Sequence, residues 1–256
     1  MELKPLLLKS SRQLLETGQS YYLRSLNYLN SFLTTRLSSC DLCGSPCLRY
    51  SLLCQTCAGD LPFFKISDIR GDLLNWPAVN RALPKSNFDH LVSLSPYQWP
   101  LSMWLKQLKY HGRFELATLL GQLLADHWQK HIKPYLQEEP GLVLAVPLHF
   151  SKWQLRGYNQ AHLIAKTFAN QLDYHYQATA LTRVKKTSAQ VGQGGVARRK
   201  NLRRAFAVNI KLLPRHVLLI DDVITTGSTI NEISRLLKKQ GVLKVTVVTA
   251  CLTLPG

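Results

Sequence analysis

Carboxylates are scarce in this chain of 256 residues: 15 Asp and Glu stand against 32 Lys and Arg, a formal charge of +17. Between Asp173 and Asp221 there is none, while ten Lys or Arg fall in that interval, densest in RRKNLRR. Such a field attracts phosphates, on a small polyanion or on nucleic acid; read alone, it is equally a solvated basic face. Rings are scarce there too. Phe206 is the one Phe, Tyr or Trp between Arg183 and Arg215, which suits phosphate contact better than base stacking. Nothing approaches the roughly 18 uninterrupted apolar residues of a spanning helix, and the N-terminal LKPLLLKSSR has no secretory core. A cytoplasmic protein with no membrane insertion is expected. No internal repeat, no low-complexity tract and no G-x4-G-K-[ST] nucleotide loop occurs.

Cysteine is nearly absent outside one cluster. Five of the six lie between residues 40 and 57, and Cys251 sits alone in an apolar stretch, where it reads as a small buried hydrophobe. CDLC and CQTC form two C-x2-C knuckles ten residues apart. Cys40, Cys43, Cys54 and Cys57 can offer four thiolates to a tetrahedral ion, the geometry structural Zn2+ takes with sulfur, and a closed four-sulfur site serves folding. Cys47 is a substitute ligand or a bystander in the GSPC turn. A redox pair is the weaker reading, because neither knuckle ends a strand that opens a helix.

Hydrophobic periodicity divides the chain into a lead segment (1–39), partly helical or mobile, a cysteine finger with a Pro-punctuated connector (40–88), and a regular domain (89–256). In the last, FDHLVSLSPY reads as a strand, WPLSMWLKQLKY and FELATLLGQLLADHWQKHI as helices, GLVLAVPLH as a buried strand, and NQAHLIAKTFANQL as a helix capped by Asn159. A weaker strand covers ATALTRV and a strong one HVLLI. A helix follows from about Ser228 to Gln240, ended by Gly241, and LKVTVVTACL forms the last strand. The alternation predicts an α/β fold with a doubly wound, mostly parallel sheet, whose ligands bind at the carboxyl ends of the strands. Asp221 and Asp222 are expected at such an end.

Between the strand HVLLI and the next helix lies DDVITTGST, with Val223 between the acids and the hydroxyl-rich turn. Backbone N–H groups around Gly227 and the hydroxyls of Thr225, Thr226, Ser228 and Thr229 suit one phosphate. Carboxylates repel phosphate yet accept hydrogen bonds from sugar hydroxyls, so a phosphorylated ribose satisfies both ends.

VLLIDDVITTGST resembles the phosphoribosyl pyrophosphate (PRPP) motif of type I phosphoribosyltransferases. Together with the knuckles, LKQLKYHGRFELATLLGQLLA, VPLHFSKWQLRGYNQAHLIAKTFA and TSAQ followed by RRKNLRRAF, the chain from about Cys40 to Leu254 resembles the ComF/GntX (competence protein F) family. The resemblance implies a phosphoribosyltransferase-like fold with a small N-terminal zinc-binding domain. It implies Asp221 and Asp222 on the ribose hydroxyls, the loop from Thr225 to Thr229 on the 5′-phosphate, and Mg2+ accompanying the pyrophosphate. Arg156, Tyr158, Asn159 and Gln160 fall on the pyrophosphate side. Arg183, Gln190, Arg198, Arg199, Asn201, Arg203 and Arg204 form a basic segment that meets pyrophosphate or single-stranded DNA. The setting it implies is DNA uptake in natural transformation, with uptake machinery such as a helicase as partner. The chemistry would be displacement of pyrophosphate at the anomeric carbon, with Arg156, Arg183 and Arg198 favouring the leaving anion. The acceptor stays open: His149 is a proton acceptor or a hydrogen-bonding structural residue. The alternative is a single-stranded-DNA-binding competence factor that uses the fold for PRPP sensing or scaffolding without turnover.

Overall fold

The computed structural model describes residues 39–47, 50, 52–83, 86–184, 205–210 and 212–253. The lead segment, apart from Ser39, therefore lies outside the described residues, as does the basic segment from 185 to 204. The chain forms two compact units, Met1–Asp60 and Leu61–Gly256.

In the smaller unit the chain folds back twice, at the antiparallel bridges Ser39 to Pro46 and Tyr50 to Leu53, before the one-turn helix α1 (Gln55–Gly59). The larger unit begins with the stretch expected to be a connector. It is tied to the sheet: Phe64 N–H donates to the Leu94 carbonyl at 2.8 Å, and the carboxylate of buried Asp72 accepts from Leu91 N–H at 3.0 Å. Helix α2 (Pro77–Ala82) follows, buried through Val79.

The sheet contains β1 (His90–Pro96), β2 (Leu142–Ala145), β5 (His216–Ile224) and β6 (Lys244–Leu252), all parallel, in the order β1-β6-β5-β2. Its two central strands are apolar and buried over most of their length, as a parallel sheet covered on both faces requires. Helices α3 (Leu101–Tyr110) and α4 (Glu115–His131) connect β1 to β2. In α3 the residues Leu101, Trp104, Leu105 and Leu108 are fully buried at helical spacing. Each such side chain stabilises by about 1.5–3 kcal/mol. After β2 come α5 (Phe150–Arg156) and α6 (Gln160–Leu172), the latter capped by Asn159, whose side chain accepts from Ala161 N–H at 3.1 Å. Helix α4 meets α6 at Gly121, where an added Cβ would lie 2.6 Å from Thr167 Cβ and 2.9 Å from the Ile164 carbonyl oxygen. Helix α7 (Ser228–Gln240) joins β5 to β6 and buries Ile230, Ile233 and Leu237.

Three sequence expectations change. The strand HVLLI does not stop at Ile220: β5 runs through both aspartates to Ile224, because β6 offers partners as far as Leu252. Asp221 and Asp222 are thus strand residues, three and two positions before its end. ATALTRV contributes only β3 (Leu181–Arg183), which pairs antiparallel with β4 (Phe206–Val208) in a separate ribbon. FSKWQLR, to which periodicity assigns no element, is the helix α5, closed by Gly157.

Two buried histidines are held neutral. His127, on α4, packs edge-on to Phe63 at 5.7 Å and beside His131 at 5.0 Å, and its Nε2 has no hydrogen-bond partner among the described residues. Burial first, then the neighbouring His131, lowers it to about 4. His216 lies on β5, with Nδ1 facing the Glu138 carbonyl at 3.3 Å and Nε2 the Thr246 hydroxyl at 2.9 Å. A carbonyl only accepts, so Nδ1 carries the proton; burial lowers this imidazole to about 4 as well. The unfolded chain takes up these protons near pH 6.5 and the folded protein only near 4, so the stability they contribute is complete above 6.5 and is lost as the pH falls toward 4. Urea melts between pH 7 and 4.5 should show His127 costing on the order of 2 kcal/mol, and His127→Leu should flatten that slope. An unaltered slope in the variant would contradict the assignment.

Candidate functional site

The site in the larger unit is built where β5 passes into α7. Asp221 pairs in register with Thr249 and Val223 with Cys251, so the acid pair lies beside the carboxyl-terminal part of β6. The Asp221 carboxylate accepts from Asp222 N–H at 2.9 Å. Burial, then the adjacent Asp222 charge, pushes the Asp221 carboxyl well above the usual carboxylate range.

Thr225 and Thr226 follow as an exposed turn, and Gly227 adopts the left-handed conformation (φ 65°) as the N-cap of α7. A Cβ there would sit 3.0 Å from Leu83 Cδ2 in a region that side-chain residues avoid, so glycine is required. No side chain caps the helix. The Thr226 and Ser228 hydroxyls hydrogen-bond each other at 3.0 Å, leaving the first-turn N–H groups of α7 as anion donors beside exposed hydroxyls. Acceptors on the strand and donors on the helix terminus thus stand six residues apart in one stretch.

Lys109 completes this arrangement and was not anticipated. At the last turn of α3, its Nζ lies 2.7 Å from Asp222 Oδ2, with side-chain exposures of 18% and 13%. Burial alone would lower its pKa, but Asp222, with Asp221 adding to it, holds the ammonium above its ordinary value. The Cys251 thiol is raised to about 12, by burial first and then by Asp222. Lysine in a helix's final turn is ordinarily read as complementing the helix dipole, which hides a long-range partner 113 residues away in sequence.

The same turn of α3 meets the segment after β2. Tyr158 donates its hydroxyl to the Leu108 carbonyl and stacks edge-on with Phe114 at 4.5 Å. The Arg156 guanidinium lies 5.2 Å from the Tyr110 ring centroid, donates to Gln160 Oε1 at 3.1 Å, and buries its Nε without a hydrogen-bond partner among the described residues. Asn159 donates to the Val146 carbonyl at 2.9 Å, and Gln160 is buried. His149 caps α5, its Nδ1 accepting from Ser151 N–H at 3.2 Å, and so has a structural role. Arg183 is set on the β3–β4 ribbon with its guanidinium 5.2 Å from the Phe206 ring centroid, and burial lowers its pKa. Gln190, Arg198, Arg199, Asn201, Arg203 and Arg204 lie outside the described residues.

In the smaller unit the two knuckles converge. Cys40 N–H donates to the Ser45 carbonyl at 2.7 Å and Gly44 N–H to the Cys40 carbonyl at 2.8 Å, closing the first turn; Cys54 caps α1, and its sulfur accepts from Cys57 N–H at 3.4 Å. The sulfurs of Cys40, Cys43, Cys54 and Cys57 all lie within 4.8 Å of one another, and those of Cys43 and Cys54 are 3.6 Å apart. Four thiolates about 2.3 Å from a tetrahedral ion stand roughly 3.8 Å apart, so this set fits a metal. The Ser45 hydroxyl, as the leading influence, lowers the Cys43 thiol to about 6, toward the thiolate that a metal takes. Cys47 stays outside the group, fully buried with its thiol toward the Ser45 carbonyl at 3.8 Å.

Comparison with known proteins gives one family match and three relatives. A family model for the phosphoribosyl transferase domain matches residues 159–254, from the cap of α6 through β6. DNA utilization protein YhgH of Salmonella typhimurium is 31% identical over 219 residues, 86% of this chain and 86% of that protein. Competence protein F of Haemophilus influenzae is 36% identical over 202 residues, 76% of this chain and 88% of that protein, and competence protein ComFC of Streptococcus pneumoniae is 24% identical over 146 residues, 57% and 60% of the two chains.

Proposed function

The chain belongs to the family of competence protein F and DNA utilization protein YhgH and carries a phosphoribosyl transferase domain, and on that premise we propose that it binds PRPP with Mg2+ and acts in the use of incoming DNA. The observation that carries the reading is the direct succession of Asp221 and Asp222 on β5 by the uncapped, glycine-led start of α7. Ribose hydroxyls donate to the carboxylates, and the 5′-phosphate accepts from the amides and hydroxyls of Thr225 to Thr229. Arg156, whose buried Nε lacks a partner among the described residues, supplies positive charge to the pyrophosphate. Mg2+, when bound with the pyrophosphate, favours charge developing on that leaving group. Carboxylates beside the ribose favour positive charge at the anomeric carbon as the bond to pyrophosphate breaks. Cys40, Cys43, Cys54 and Cys57 hold Zn2+ in a structural role.

A calorimetric titration with Mg2+ and PRPP tests the site. Wild type should bind, and Asp221→Asn with Asp222→Asn should lose at least tenfold in affinity while keeping its bound zinc and the far-ultraviolet circular dichroism of wild type. Equal affinity in the double variant would refute the ribose assignment.

A second reading concerns DNA. Exposed Trp153 and Tyr110, with Arg156 over the latter, supply the stacking rings that the basic segment lacks. The proposal is that single-stranded DNA follows this surface and the arginines near residue 200. Charge reversal at Arg198, Arg199, Arg203 and Arg204 should weaken binding and flatten its dependence on salt. A slope that did not move would remove the basic segment from the DNA contact.

A further inference from the structure

Two adjacent carboxylates in a partly buried cleft ordinarily attract a divalent cation, and they oppose a ligand that carries several negative charges. Lys109 is set against both tendencies. Its ammonium stands 2.7 Å from Asp222 Oδ2, both side chains are largely withdrawn from solvent, and α3 ends there, where its carbonyls favour a positive charge. The lysine is also held in place through its neighbours. Leu108 gives its carbonyl to the Tyr158 hydroxyl, and Tyr110 lies beneath the Arg156 guanidinium at 5.2 Å. Three consecutive residues therefore touch three separate groups of the site, and Lys109 is the one aimed at the acid pair.

We propose that Lys109 is a built-in cation that keeps Asp222 from ligating a divalent metal in the free protein and reserves the acid pair for sugar hydroxyls, so that Mg2+ enters only on the pyrophosphate of the donor. What the reserved carboxylates receive rests on the ribose-phosphate reading above; the exclusion of metal does not. Lys109 is on this account a positioning residue. It acts through Asp222 and touches no reacting atom. The raised pKa of its ammonium is consistent with a cation that stays charged throughout the neutral range.

The test uses zinc-loaded, full-length protein and Mn2+ as the probe, with free Mn2+ followed by electron paramagnetic resonance. Wild type should take up no Mn2+ at the acid pair below millimolar concentration. Lys109→Met should gain one site at least tenfold tighter, the combination with Asp222→Asn should lose it, and Lys109→Arg should behave as wild type. Lys109→Gln stands in if the methionine variant does not fold. Mn2+ uptake by wild type that disappears in Asp222→Asn would overturn the proposal, as would the absence of a new site in Lys109→Met. Adding PRPP separates the two ideas. Failure of wild type to bind PRPP in the calorimetric titration with Mg2+ overturns the ribose-phosphate reading, whereas the exclusion by Lys109 still stands or falls on the variants without PRPP.

Discussion

Eight residues of β5 pair in parallel register with eight of β6, from His216 against Lys244 to Ile224 against Leu252. That ladder carries β5 past the point where an alternating apolar strand would end, and with it two carboxylates. Strand pairing fixes the backbone of Asp221, and the Asp222 N–H goes to the Asp221 carboxylate, so the side chains take fixed directions and cannot fold back as a loop would allow. The turn that follows has only Thr225, Thr226 and Gly227 before α7 begins, which sets the helix start a fixed distance from the acids. The rest of the site depends on this one extended pairing.

Electrostatically the region is a balance of like and unlike charge in a small volume. Asp221 is buried enough that its carboxyl is pushed upward, and the adjacent Asp222 adds to that push. Lys109 offsets Asp222 across 2.7 Å and brings the last turn of α3 against the strand. Removing either partner of such a pair leaves an uncompensated charge and costs more than the pair itself contributes. The N–H donors at the start of α7 stand six residues beyond the acids, so acceptors and anion donors share one stretch. A simple phosphate has no use for the acceptors. A sugar phosphate does.

Much of this was legible in the sequence because it is local. Asn159 caps α6, Ser228 and Gln240 bound α7, and the spacing of Cys40, Cys43, Cys54 and Cys57 anticipates their convergence. What escaped was imposed from a distance. Asp is depleted in strands, so nothing in HVLLIDD says that β6 will extend the ladder to Ile224. Lys109 meets Asp222 only once α3 is folded onto the sheet. Helix α5 leaves Phe150, Trp153 and Leu155 exposed and so presents no apolar stripe, with Gly157 its one readable signal. Strand β4 has three residues, and its Phe206 reads as a lone ring in a basic run until Arg183 is found over it.

The central claim is that Asp221 and Asp222 read sugar hydroxyls. Its most direct measurement compares ribose 5-phosphate with 2-deoxyribose 5-phosphate by competition against PRPP in the presence of Mg2+. A site built to hydrogen-bond a hydroxyl discriminates against the analogue that lacks it, because a buried acceptor is left without its donor. The account predicts that the deoxy sugar competes at least tenfold more weakly, and that Asp221→Asn with Asp222→Asn erases the difference. Equal competition by the two sugars would contradict it.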